Sequence, residues 1–179
     1  VPAGYGEAIA DAIMEAGKPH GICPYGVEAL GVMRIEKGHV THSEINGTVI
    51  PSDLGFAKMV STAKPDFIGK AMLAREGLTA DDRLSLVGVR PLDPATTFRT
   101  GSHILSKDAA PSLENDQGYV SSSCYSPNLG STIGLALVKH GPKRHGEHVT
   151  VWNDLKNEYT KAVLCSPVFF DPENGKLHG

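Results

Sequence analysis

The chain has 179 residues, 40% of them hydrophobic and 21% charged, with a formal net charge of -3 at neutral pH. This is enough apolar material for one domain, or one and a half small ones, and excludes a disordered chain; acidic and basic residues alternate instead of forming blocks, which excludes a nucleic-acid footprint. No run approaches the roughly 20 apolar residues that span a bilayer, and Val1-Pro2-Ala3-Gly4 is not a signal sequence, so a soluble, cytoplasmic protein is expected.

Residues 5 to 17 place Ala8, Ile9, Ala12, Ile13 and Ala16 at helical spacing, with Gly17 and Pro19 as a stop. This reads as an amphipathic helix packed on something. A second helix is predicted from about Val27 to Lys37, between the Pro24-Tyr25-Gly26 turn and Gly38, which suits the left-handed residue closing a helix. A third, short one is expected over Phe67 to Glu76. Asn46-Gly47 reads as a tight turn between strands; as Asn46-Gly47-Thr48 it is also formally a glycosylation acceptor, which a cytoplasmic protein leaves unused. From Leu84 onward, six β-branched runs alternate with turn residues: LSLVGV, SHILS, GYVSSSC, STIGLALV, HVTVW and TKAVLC. They predict an antiparallel barrel or sandwich, and with the helical first half an α+β architecture.

Several motifs are set aside on spacing. His140, His145 and His148 lack the i, i+4 arrangement of a helical metal site, and their Gly-Pro-rich stretch reads as a connection between strands. Ser61-x-x-Lys64 lacks the companion elements of serine acyl-transfer enzymes. No phosphate-cradling loop or dinucleotide fingerprint occurs. Cys23, Cys124 and Cys165 are odd in number and far apart, and are expected to be reduced, semi-buried and unmetallated. An absent initiator methionine ahead of an early helix signal predicts a piece of a longer polypeptide.

The second helix carries the informative charges. On a 3.6-residue period Arg34 shares a stripe with Val27, Leu30 and Gly31, so its guanidinium must be paired. Glu36 stands on the flank with Ala29, Val32 and Met33 in the last turn, where the helix dipole disfavours a negative charge by about 0.3 to 1 kcal/mol. Either both pair within one core, or one or both face a cleft that accepts a polar heterocycle.

Gly21, Pro24, Gly26, Ala29, Arg34, Glu36 and Gly38 fill a G-x-x-P-x-G-x-x-A-x-x-x-x-R-x-E-x-G pattern. Pro51, Asp53 and Gly55, then Lys64, Phe67, Ile68 and Gly69, follow in order, and GYVSSSCYSPNLGSTIGLALV completes the set. In these motifs the chain resembles the aminomethyltransferase, or glycine-cleavage T-protein, family along nearly its whole length. EKG in place of EAG, ALVKHG and the ending SPVFFDPENGKLHG are similar to the sarcosine oxidase branch. An Arg that the transferases often carry four residues before Arg34 is Leu30 here.

The resemblance implies residues 1–82 as part of an α/β folate-binding middle subdomain and residues 83–179 as a carboxy-terminal, six-stranded antiparallel β-barrel. It implies tetrahydrofolate as the ligand, accepting a one-carbon unit to give 5,10-methylenetetrahydrofolate. FAD, FMN and NAD are expected only on other parts of a parent complex, whose other subunits and the preceding part of the same chain are the expected partners. The catalytic Asp and a folate-contacting Glu are expected upstream of Val1. Tyr25, Arg34, Glu36 and Arg99 are the candidate folate-binding residues, with core pairing and barrel closure as their alternative. A freestanding aminomethyltransferase and a non-catalytic assembly module are the rival readings.

Overall fold

The computed structural model describes residues 1–178, with Leu177 as backbone only; Gly179, the last residue of the expected barrel region, lies outside them. The chain forms two compact units that divide after Leu30. In the first, helix α1 (Gly6–Gly17) ends in a 3-10 turn, Lys18–His20, closed by Gly21 at φ 68°. The helix is where the periodicity predicts it, but none of its residues is buried.

Helix α2 (Val27–Glu36) matches its expected span, although the stripe does not hold. Val27 and Leu30 are exposed and the buried residues are Ile35 and Glu36, with Ile35 joining a core cluster of the barrel. The expected third helix over Phe67 to Glu76 is also corrected. Gly69 at φ 93° interrupts it, and the segment forms a 3-10 turn, Ala71–Ala74, followed by the single helical turn α3 (Glu76–Thr79). Asn46-Gly47 does make a turn, but no strand flanks it. Asn46 Oδ1 accepts from the Thr48 N–H at 2.9 Å, so the turn is held by the side chain itself.

The six runs become six strands: β1 (Leu84–Pro91), β2 (His103–Ser106), β3 (Asp116–Ser126), β4 (Ser131–Lys139), β5 (His148–Asn153) and β6 (Glu158–Cys165). They close into an antiparallel barrel in the order β1-β4-β3-β2-β5-β6, with β6 returning to β1 through Val89 and Leu164. The histidine-rich stretch connects β4 to β5, as expected. Alternation sorts side chains to two faces. Val87, Val89, Ile104, Val120, Ala136, Val138, Val149, Val151, Ala162 and Leu164, with Phe98, fill one cluster. Leu86, Ile133, Leu135 and Leu137 belong to a second, together with Ile35 of α2 and Leu54. Strand β4 contributes to both, which explains why its sequence reads as an unbroken apolar run rather than an alternating one. Helix α4 (Gly175–His178) is a final short turn.

The segment before α4 ties back onto α2. The carbonyl of Glu36 accepts from the Phe169 and Phe170 N–H groups at 2.8 and 2.9 Å, and Lys37 Nζ bonds the Asp171 carboxylate at 3.1 Å. The carbonyl of the last helical residue thus finds its partners in a segment far along the chain.

Candidate functional site

The last turn of α2 places two charged side chains against β3. Arg34 Nη1 meets Glu44 Oε2 at 3.1 Å and the His39 carbonyl at 3.2 Å, and Nη2 donates to Ser122 Oγ at 2.7 Å. Glu44 is fully buried. Its carboxylate also accepts from the Thr41 N–H, Ser121 Oγ and Ser122 Oγ at 2.9, 2.8 and 2.7 Å. Burial alone would raise its pKa, yet the hydrogen bonds from Ser122, Thr41 and Ser121, together with the Arg34 charge, hold it below the ordinary carboxylate value.

Glu36 makes a parallel contact two residues on. Oε1 accepts from Ser126 Oγ at 2.5 Å and Oε2 from Asn128 Nδ2 at 2.9 Å. These donors offset the unfavourable field at the helix end. Cys124, on the same strand, is pushed up to about 11 by burial and the nearby Glu36 charge, with Arg34 opposing in part.

Arg99 lies on the loop joining β1 and β2 and is exposed. With Thr97, Phe98, Thr100, Ser123, Cys124, Tyr125 and Thr132 it lines a depression of about 500 Å³. Thr100 and Ser123 hydroxyls bond at 3.2 Å beside it, and Tyr125 is 60% exposed. Tyr25 is likewise exposed and belongs to the first unit. Of the four residues chosen from sequence, Arg34 and Glu36 are therefore bonded to protein partners on β3, at the turn after it and at Glu44 and His39, while Arg99 and Tyr25 are exposed. Among the described residues, every buried side-chain polar atom has a partner.

Sequence reasoning missed Glu44 and Ser122 as partners of Arg34, Ser121 as a further donor to Glu44, and Ser126 and Asn128 as partners of Glu36. It also missed the Asp53–Arg83 pair. Asp53 Oδ1 lies 3.0 Å from Arg83 Nε and Oδ2 lies 2.5 Å from Nη2, while Oδ2 also accepts from the Ile50 N–H at 2.9 Å. The pair borders a cavity of about 460 Å³. Asp53 stands in a recognised motif, but nothing in that motif points to Arg83. The cysteine expectation is corrected at one position: all three thiols are free, but Cys23 is exposed rather than semi-buried.

A closed antiparallel barrel, with an Arg-x-Glu helix end docked on it, defines the class. The chain belongs to the glycine-cleavage T-protein, or aminomethyltransferase, family: residues 1–64 match the GCVT N-terminal domain and residues 85–171 the glycine cleavage T-protein C-terminal barrel domain. It is 71% identical over 178 residues to sarcosine oxidase subunit alpha of Rhizobium meliloti (strain 1021), covering 99% of this chain and 18% of that protein. Against the aminomethyltransferase of Geobacillus thermodenitrificans (strain NG80-2) the identity is 30% over 162 residues, covering 89% of this chain and 42% of the relative. The chain thus spans less than half the length of either. The crystal structure of aminomethyltransferase T of the glycine cleavage system from Bartonella henselae superposes with a TM-score of 0.75 at 19% identity, covering 96% of this chain and 45% of that one; this is a likeness of fold.

Proposed function

We propose that the chain is the carboxy-terminal part of a tetrahydrofolate-binding domain of the sarcosine oxidase alpha type, which takes up the one-carbon unit released from sarcosine and forms 5,10-methylenetetrahydrofolate. The observation that carries this reading is the 71% identity over 99% of the chain. The freestanding transferase is the second reading, supported by the 30% identity to an aminomethyltransferase. The seam of the proposed subdomains, at 82–83, falls just ahead of β1.

The residues fit such a ligand in part. Folate presents a flat heterocycle and an anionic glutamate tail, which call for an apolar or aromatic wall and a cation. The depression beside Arg99 and Tyr125 offers both. Arg34 and Glu36 support the site indirectly in this reading, by fixing β3 and the turn after it; Tyr25 is a proposed folate contact of the first unit, taken by itself. The catalytic Asp, a folate-contacting Glu and the flavin and NAD sites are assigned to other parts of the parent complex.

Calorimetric titration with a stable reduced-folate analogue tests the proposal, using the 179-residue chain and a version extended upstream to the length of the aminomethyltransferases. The extended protein is expected to bind about 30- to 4,000-fold more tightly, the range that corresponds to supplying a charged partner in a partly buried site. Arg99→Ala in the extended protein should weaken binding without lowering thermal stability. Equal, micromolar binding by both lengths, or no effect of Arg99→Ala, would sink the assignment.

A further inference from the structure

The exposed turn Asn46-Gly47-Thr48 plays no part in the reading above. The Val49 N–H closes the turn on the Asn46 carbonyl at 3.4 Å. The Asn46 side chain folds forward, its Oδ1 accepting from the Thr48 N–H at 2.9 Å and from Thr48 Oγ1 at 2.6 Å. An Asn bonded to the backbone two residues on closes a ring that contains the intervening peptide nitrogen, here that of Gly47. Gly47 has no side chain to obstruct an approach to that nitrogen, and no atom lies within 4 Å of where a Cβ would stand.

The geometry points to Asn46 as a site of spontaneous deamidation, promoted by the two Thr48 donors on its Oδ1. The Gly47 nitrogen gives up its proton and attacks Asn46 Cγ. As the N–Cγ bond forms, negative charge develops on Oδ1, the atom that Thr48 already holds with two donors aimed where the oxyanion forms. The Cγ–Nδ2 bond then breaks, and the carboxamide nitrogen, having taken up a proton, leaves as ammonia. Water opens the five-membered imide at either carbonyl, giving aspartate or isoaspartate, with no oxidation or reduction.

The position gives the change structural reach. Isoaspartate adds one atom to the main chain between Glu44, which holds Arg34, and Thr48, whose carbonyl accepts from Arg83 Nη2 at 2.9 Å. The chain carries its own comparison in Asn174-Gly175. There Asn174 is held at φ 58° and Gly175 opens α4, whose Lys176 N–H is engaged by Asp171.

The test incubates the folded 179-residue protein at mildly alkaline pH and follows each Asn-Gly peptide by mass spectrometry, with released ammonia and isoaspartate measured in parallel. Asn46 is expected to convert at least about threefold faster than Asn174, and Thr48→Val to slow Asn46 by about threefold to tenfold, the range for one net hydrogen bond. Thr48→Ser, which keeps both donors, should restore the parent rate. In urea the two sites should converge and the Thr48 variants lose their effect. Equal rates at the two sites in the folded protein would overturn the proposal. So would a Thr48→Val protein converting as fast as the parent, a Thr48→Ser protein as slow as Thr48→Val, or differences that persist in urea.

Discussion

Arg34 and Glu44 form an ion pair at 3.1 Å in which the Glu44 side chain is wholly buried and the Arg34 side chain is 17% exposed. The two sides are unequal. Arg34 retains some water if its partner is lost, whereas Glu44 takes four donors and can reach none elsewhere. Arg34→Ala is expected to destabilise the barrel unit by about 2 to 4 kcal/mol, and Glu44→Ala by about 3 to 5 kcal/mol, because the latter strands several buried donors at once. Urea melts followed by the fluorescence of the single tryptophan, Trp152 in β5, check both values. A loss below about 0.5 kcal/mol for Arg34→Ala would mean that its charge is effectively solvated.

The same carboxylate sets a pH dependence. The pKa of Glu44 is lowered in the folded protein from an ordinary value of 4.5. A group of this kind contributes stability that is complete above its unfolded value and lost as pH falls through its folded one. Stability is therefore expected to decline below pH 4.5, and Glu44→Gln should flatten that acid limb. Urea midpoints compared at pH 7 and at pH 3.5 to 4 test this; an unchanged slope in Glu44→Gln would assign the acid limb to other groups, such as Glu147 beside Arg144.

The barrel was legible in the sequence because each strand is a short run bounded by turn residues, and even β4, buried on both faces, announces itself by an unbroken apolar stretch. The two helices were legible from spacing and glycine stops. What the sequence could not show is how the charges pair. Ser122 lies 88 residues from Arg34, and Ser126 lies 90 from Glu36, so the partners exist only once the barrel has closed. The stripe containing Val27 and Leu30 misled for a related reason. Periodicity assumes that a helix buries one stripe along its length, whereas the buried residues of α2 are Ile35 and Glu36, at its end. The short third helix failed on local geometry, since Gly69 turns the chain at φ 93°.

The thiols should separate by environment. Cys124 and Cys165 are both pushed up from 9.0 to about 11, chiefly by burial, while Cys23 is exposed. At pH 8 a shift of that size lowers the thiolate fraction about 100-fold. Titration with a disulfide reagent should show one fast thiol in the folded protein and three after denaturation. Cys23→Ser should abolish the fast phase; its survival would mean that one of the barrel thiols is open to solvent.

Gly38 closes α2 in the left-handed conformation at φ 73°, with its own N–H on the Ile35 carbonyl at 3.1 Å and the His39 N–H on the Arg34 carbonyl at 2.8 Å. A Cβ there would meet two penalties. The first is conformational, about 1 to 2 kcal/mol for any L side chain forced into that region. The second is steric: the added carbon would stand 2.6 Å from the Pro167 carbonyl oxygen, pressing on the segment whose Phe169 and Phe170 N–H groups bond the Glu36 carbonyl. Gly38→Ala is therefore expected to cost about 2 to 4 kcal/mol. Gly55 separates the two contributions, because it has φ 81° but nothing within 4 Å of its Cβ position. Gly55→Ala should show the conformational penalty alone, about 1 to 2 kcal/mol. Urea melts of both variants decide the matter. A Gly38→Ala loss no greater than that of Gly55→Ala would show that the segment after β6 yields freely, and that its bonds to Glu36 do not fix the end of α2.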